Sequence, residues 1–213
     1  MNKNILVLSP HPDDESIGCG GTIRKHVLEG DTVEVIVLTS GEKGGHAAIS
    51  EEELIRIREQ ESMKAKDILG VHNLEFWRQP DGSFKVTPEV RQRLKNKLEQ
   101  WQPQLIYVPH EEEGHPDHRA AADLVRQVVS SLPNISSRPE VLMYEVWTPI
   151  QKIDHIVDIS DYVEIKRKAI QAYESQCSVL KFDEAILSLN RYRGAMHSWP
   201  GGDYAEIFMF MKV

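Results

Sequence analysis

Cysteine is nearly absent from this sequence: 213 residues carry two, Cys19 and Cys177. Neither belongs to a CxxC pair, and two are too few for a disulfide framework. Long apolar runs are missing as well. None approaches the roughly 20 residues that cross a bilayer, and the first, ILVLS, is broken at once by proline and acids, short of a signal peptide's apolar stretch. Positive charge is in deficit, 25 Lys and Arg against 33 Asp and Glu, and a net charge of −8 speaks against a dedicated nucleic-acid binder. No internal repeat, low-complexity tract or Pro/Ser-rich linker divides the chain. These absences lead to the expectation of a cytoplasmic protein of one domain, residues 1–213, large enough to bury a core without staples.

What is present is an alternation. Residues 5–9 (ILVLS) and 33–39 (VEVIVLT) are unbroken apolar runs of the kind that strands buried on both faces need. Between them, 20–30 carries a helical pattern of Ile23, Val27 and Leu28 that stops at Gly30. Residues 50–69 open on Ser and three acids, a helix start, and stop at Gly70. Further strands are predicted at 74–77, 105–109, 141–146, 153–159 and 204–213. Further helices are predicted at 87–101, which opens TPE with proline at its first position, at 118–132 and at 161–173. The alternation predicts an α/β fold with a mostly parallel sheet flanked by helices on both faces. Residues 41–49, 111–114 and 188–203 read as irregular. In such sheets the loops beyond the carboxyl ends of the strands build the site.

Two motifs stand at such strand ends. SPHPDDESIGCGG, residues 9–21, crowds His11, Asp13, Asp14 and Glu15 behind the first strand. EEEGHPDHRAAADLV follows the strand at 105–109, with His115 and His118 three apart and Asp117 between them. Taken singly, each also has the makings of a turn and a helix cap, because Asp and Pro favour both. Two of them at neighbouring strand ends argue for one shared site, and three clustered carboxylates call for a cation. A catalytic zinc takes three N or O ligands and keeps one position open. His11, Asp14 and one histidine of the second motif meet that need, leaving Asp13 and the other histidine for proton transfer and charge stabilisation. Magnesium prefers oxygen ligands and suits this set less well. Gly18, Gly20 and Gly21 are spaced GCGG and lie too far from the strand for a dinucleotide fingerprint.

With TSGEKGG after the second strand, REQESMKAKDILG and the terminal YAEIF, the paired HPDDE and HPDH resemble the PIG-L/LmbE-like superfamily of zinc-dependent N-deacetylases. The resemblance runs over essentially the whole chain. It implies a Rossmann-like three-layer fold and removal of the acetyl group from an N-acetylglucosamine-type sugar or glycoconjugate. It implies zinc, with iron(II) able to occupy a site of this kind, held by His11, Asp14 and His118, and Asp13 as general base. It further implies a protonated His115 that stabilises the oxyanion or helps protonate the amine, Asp117 tuning these neighbours, and Arg58 holding sugar hydroxyls. The partner implied is a small-molecule amino sugar, with no nucleic acid and no membrane span, and the family habit implies a homo-oligomer. The chemistry is coherent: an amide is a poor electrophile and water a poor nucleophile, and a bound zinc remedies both. Asp13 would take a proton from water and return it to the departing nitrogen, while an oxyanion stabiliser contributes on the order of 10²–10³ in rate. The rival readings are an amidase acting on a larger amide conjugate and a catalytically silent metal- or nucleotide-binding Rossmann module. The presence of Asp13, Asp14, His11 and His118 together speaks against the silent module.

Outside the two motifs the expectations are plainer. Glu15 belongs to the helix entry, and the run 111–113 of three glutamates is expected to be solvated. Arg193 and Gly194 precede Tyr204 as in the family's ending. Trp199 is a candidate substrate contact on that stretch, and His197 is expected at the surface. Trp77, Trp101 and Cys19 are expected to pack.

Overall fold

Strand β1 (Asn4–Ser9) sends Ile5 and Val7 to one face of a sheet and Leu6 and Leu8 to the other, and all four are fully buried. That two-sided burial requires helices on both faces, and the computed structural model, which describes residues 2–45, 49–133, 138–197 and 202–213, supplies them. The other strands are β2 (Thr32–Thr39), β3 (Asn73–Gln79), β4 (Leu105–Pro109), β5 (Glu140–Tyr144), β6 (His155–Asp158) and β7 (Ala205–Phe210). Their order is β3-β2-β1-β4-β5-β7-β6. The first five run parallel, and β7 is antiparallel to both β5 and β6. On one face pack α1 (Asp14–Leu28), α2 (Glu51–Leu69) and α5 (Val163–Gln171), through Ile23, Leu69 and Ile170 among others. On the other pack α3 (Pro88–Trp101) and α4 (Pro116–Ser131), through Leu94, Leu98, Leu124 and Val125. Each such side chain contributes roughly 1.5–3 kcal/mol on burial.

Successive connections run outward from β1 in one direction and from β4 in the other, so β1 and β4 are adjacent although about a hundred residues apart in sequence. The crevice at such a reversal is where open α/β sheets place ligands. Both candidate motifs open onto it.

Beyond shifts of one to three residues at strand and helix ends, three segments depart from the sequence expectation. Helix α1 starts at Asp14, inside the first motif, rather than at residue 20, and is interrupted at Cys19 (φ −143°, ψ 23°). The N–H groups of Gly21 and Thr22 beyond that kink donate to the buried carboxylate of Glu206 on β7, at 2.9 and 2.7 Å, and Lys166 Nζ of α5 donates to it at 2.6 Å. The GCGG spacing also has a packing reason: a Cβ on Gly18 would lie 2.1 Å from the Tyr144 ring. The helix expected over 161–173 is a 3-10 turn (Ser160–Tyr162) followed by α5. Of the stretch read as irregular over 188–203, residues 188–197 are helical, the second half of α7 (Phe182–His197), which follows the short α6 (Glu174–Cys177). Trp199 lies outside the described residues.

Candidate metal centre and its pocket

The first motif is folded by its own side chains. His11 N–H donates to Asp14 Oδ2 at 2.8 Å, closing the turn after β1. Glu15 anchors it from below, receiving the hydroxyls of Tyr173 (2.6 Å) and Ser16 (2.7 Å) and the N–H of Asp13 (3.3 Å). Asp13 is held at φ 127°, ψ −27°, a conformation that L-residues adopt only when their surroundings enforce it. Its carboxylate thereby turns away from that of Asp14, towards the Arg58 guanidinium (3.1 Å). The second motif opens α4, where His115 is the N-cap residue and its Nδ1 accepts the Asp117 N–H at 3.3 Å. That bond leaves Nε2 of a neutral His115 ring as the proton carrier.

Side-by-side pairing of β1 and β4 brings three potential ligand atoms together. His11 Nδ1, Asp14 Oδ2 and His118 Nε2 form a triangle with edges of 3.1, 3.1 and 3.2 Å. An ion bound at about 2.0 Å in tetrahedral geometry has ligand–ligand edges of about 3.3 Å, so the three residues fit a metal of that size. The histidines are backed by carboxylates, as metal-ligating imidazoles commonly are. His11 Nε2 faces Asp81 Oδ1 at 3.1 Å and Asp117 Oδ2 at 3.3 Å. Asp117 is itself fixed by the N–H groups of Gly82 (2.7 Å) and Phe84 (3.0 Å). His118 Nδ1 is buried without a hydrogen-bond partner and lies 3.7 Å from Glu113 Oε2. His115 stands against both histidines, its ring centroid 4.5 Å from that of His11 and 5.1 Å from that of His118.

Electrostatics separates the two adjacent aspartates. Burial lifts the Asp13 carboxyl to about 7, with Arg58 opposing and Asp14 assisting. Burial acts on Asp14 too, but His118 and His11 overcome it and hold its carboxyl far below the usual range. Burial would depress both histidines of the triangle. Asp117, Asp14 and Asp81 nevertheless raise His11, and Asp14 and Glu113 raise His118 to about 9. His115 is lowered, by burial and then by His11 and His118. This environment favours a neutral His115, in contrast to the protonated ring expected from sequence.

The crevice is a cavity of about 460 Å³ whose walls include His11, Asp13, Arg58, Asp81, His115 and Trp147. Arg58 is buried rather than an exposed helix residue, and its Nη atoms are engaged by the carbonyls of Gly41 (2.8 Å) and Pro12 (2.5 Å) as well as by Asp13. Two contributors escaped the sequence reading. Asp81 follows β3 in a DG pair that reads as an ordinary turn, although its place beyond a strand's carboxyl end was a usable signal. Glu113 is fully buried, unlike its exposed neighbours Glu111 and Glu112, so the run is not simply solvated. The protein satisfies Glu113 through the N–H groups of Val146, Trp147 and Thr148. His197 closes α7 half-buried beside Tyr192, and Trp77 is buried as expected.

Fold and site together define an α/β protein with a His-Asp-His triangle that could hold a metal and a carboxylate turned away beside it, at the sheet's reversal point. The model of the PIG-L family, described as GlcNAc-PI de-N-acetylase, matches residues 6–129, and the chain belongs to that family. It is 34% identical to the diacetylchitobiose deacetylase of Thermococcus kodakarensis, over 98% of this chain and 83% of that one. Its structure is similar to that of N,N'-diacetylchitobiose deacetylase from Pyrococcus horikoshii, complexed with an inhibitor, with a TM-score of 0.86, 30% identity, and coverage of 98% of this chain and 84% of that one. GalB, the 4-carboxy-2-hydroxymuconate hydratase of Pseudomonas putida, shares the fold (TM-score 0.88, 23% identity, 99% and 97% covered).

Proposed function

We propose that this chain is a zinc-dependent N-deacetylase that hydrolyses the acetamide of an N-acetylglucosamine-type sugar or glycoconjugate. The observation that carries the reading is the triangle of His11, Asp14 and His118 with Asp13 turned away from it into the same cavity. The similarity to diacetylchitobiose deacetylases supports the substrate class. Zinc in that triangle would acidify water and polarise a carbonyl. Asp13 takes the proton from the attacking water and passes it to the departing sugar nitrogen, and burial, which raises its carboxyl, makes it a better base than an exposed aspartate. Arg58 beside it favours the ionised form that starts the cycle. His115, neutral, presents its Nε2–H to the oxygen on which negative charge develops. Asp117 and Asp81 fix the His11 ring through Nε2 and keep Nδ1 directed at the triangle. Arg58 and Asp81 on the cavity wall supply a donor and an acceptor for sugar hydroxyls.

The test combines metal analysis with acetate release from N-acetylglucosamine, diacetylchitobiose and the malate- and inositol-linked N-acetylglucosaminides. The expected result is about one zinc per chain and acetate from at least one of them. A chain that binds zinc but releases no acetate, while cleaving a larger amide conjugate, would be an amidase instead. The proposal includes a cytoplasmic, one-domain, self-associating protein, checked by cell fractionation, limited proteolysis and sedimentation velocity. No helix among the described residues is long and apolar enough to cross a membrane.

A further inference from the structure

Next to the metal-site cavity lies a second one, also about 460 Å³, and the two share Ile17, Trp147, Leu180 and Phe182 as walls. The remaining lining is Val146, Pro149, Ala185, Ile186 and Leu189, with Lys181 the one charged residue. Two of these apolar groups stand half in water: Trp147 is 52% exposed and Leu180 50%. Exposed aromatic and aliphatic side chains arranged around one groove mark a binding surface rather than scattered surface apolarity. The wall is built, not loose. Glu113 receives the N–H groups of 146, 147 and 148. The buried Glu145–Arg193 pair (2.8 Å) ties the same segment to α7, and Arg193 also donates to the Ile150 carbonyl at 2.9 Å. Trp147 rests edge-on against Phe182, with ring centroids 5.5 Å apart.

We propose that this groove is a substrate subsite for an apolar substituent, so that the preferred substrates are N-acetylated amino sugars carrying an alkyl or aryl aglycone. The inference rests on the deacetylase reading above. Continuity selects the occupant. The groove opens into the metal-site cavity through four shared side chains, so a protein seated on it would cover the mouth of that cavity. The tail of a bound sugar would instead leave the cavity by this route. The groove offers one cation and otherwise hydrocarbon, which disfavours a polyhydroxylated or multiply charged aglycone.

The experiment measures kcat/KM for acetate release from methyl, butyl and hexyl 2-acetamido-2-deoxyglucosides of both anomers. Burying each added methylene in the groove is expected to raise kcat/KM roughly two- to fourfold, carried mainly by KM. Ala185→Glu and Leu189→Ser, on the exposed and half-exposed side of α7, are expected to lower the hexyl-to-methyl ratio towards one. Acetate release with no dependence on chain length overturns the subsite and leaves the deacetylase reading standing. No acetate from any of these alkyl glycosides overturns the subsite, and the deacetylase reading falls with it only if N-acetylglucosamine, diacetylchitobiose and the malate- and inositol-linked N-acetylglucosaminides release none either. If Ala185→Glu changes the oligomeric state but not the hexyl-to-methyl ratio, the face serves self-association and the proposal fails. Should a variant not fold, the wild-type chain-length series decides alone.

Discussion

Two buried carboxylates lie on either side of the kink in α1, and they are treated in opposite ways. Glu206 meets one ammonium and two N–H donors, all aimed at its oxygens, with hydrogen bonds of 2.6–2.9 Å and every partner a donor. Asp14 meets one N–H donor and two imidazole nitrogens that crowd each other as closely as they crowd the carboxylate. The first arrangement is complete within the protein. In the second, three ligand atoms converge within 3.1–3.2 Å of one another, and behind them one imidazole nitrogen, Nδ1 of His118, has no hydrogen-bond partner. A satisfied buried ion pair is scaffold; a convergent, unsatisfied one is arranged for a cation that binds the lone pairs together.

The sharpest break of that contrast is in turnover and metal content. His118→Ala is expected to lose both the metal and the activity. Asp13→Ala should keep the metal and lose on the order of 10²–10⁴ in kcat. Metal content by elemental analysis, read beside kcat, separates the two roles. Stoichiometric metal in His118→Ala, or near-normal turnover in Asp13→Ala, would overturn the assignment of that residue.

The other carboxylate gives the opposite outcome. Glu206→Ala strands Lys166, which is fully buried, along with the N–H groups of Gly21 and Thr22. The expected cost is about 3–5 kcal/mol of stability, read from urea denaturation, with about one metal per folded chain retained. A variant of unchanged stability would show that the pair is not the scaffold element described. Metal loss from a fully folded variant would show that the two sites are coupled through α1.

The same contrast explains what was legible beforehand. Continuous apolar runs mark β1, β2 and β4 because both faces of those strands are buried, and the two HPD motifs follow the ends of β1 and β4. The second half of helix α7 was not legible because the large side chains it buries there are polar: Asn190 reaches the Ala205 carbonyl and Arg193 reaches Glu145. Those are tertiary partnerships that no hydrophobic periodicity reports. The early start of α1 is hidden for a related reason, since its first turn buries Asp14, Glu15 and Ser16, and Gly18 and Gly21 leave room for Tyr144 and Ile159. Asp81 is a single acid in a turn-like context and Glu113 the last of three successive glutamates, and only the folded chain brings them to His11 and His118. The apolar groove is assembled from the β5–β6 connection and α7, distant segments with no shared motif.

The smallest expected effect is in pH dependence, and its sign follows from the protons that the metal would displace. In chelator-treated protein, Asp13 titrates near 7 instead of near 3.8, so between those values the folded chain holds a proton that the unfolded chain has lost. Stability therefore falls as pH rises across that interval. His118, raised to about 9, acts in the same direction from about 6.5 upward, as does His11. His115 is lowered and opposes them only below about 6.5, while Asp14 is held so low that its contribution changes only in strong acid. Metal-free protein should accordingly lose stability from pH 6.5 to 8.5, at about 1.4 kcal/mol per pH unit for each proton by which the two states differ. Metal-loaded protein should lack that decline, because ligand protons are released on binding and affinity rises with pH. Urea denaturation at three pH values, with and without chelator, reads both slopes. A metal-free stability that is flat or rises over this window would show that the crowded triangle is not held together by shared protons, and would count against its being a ligand set for a cation.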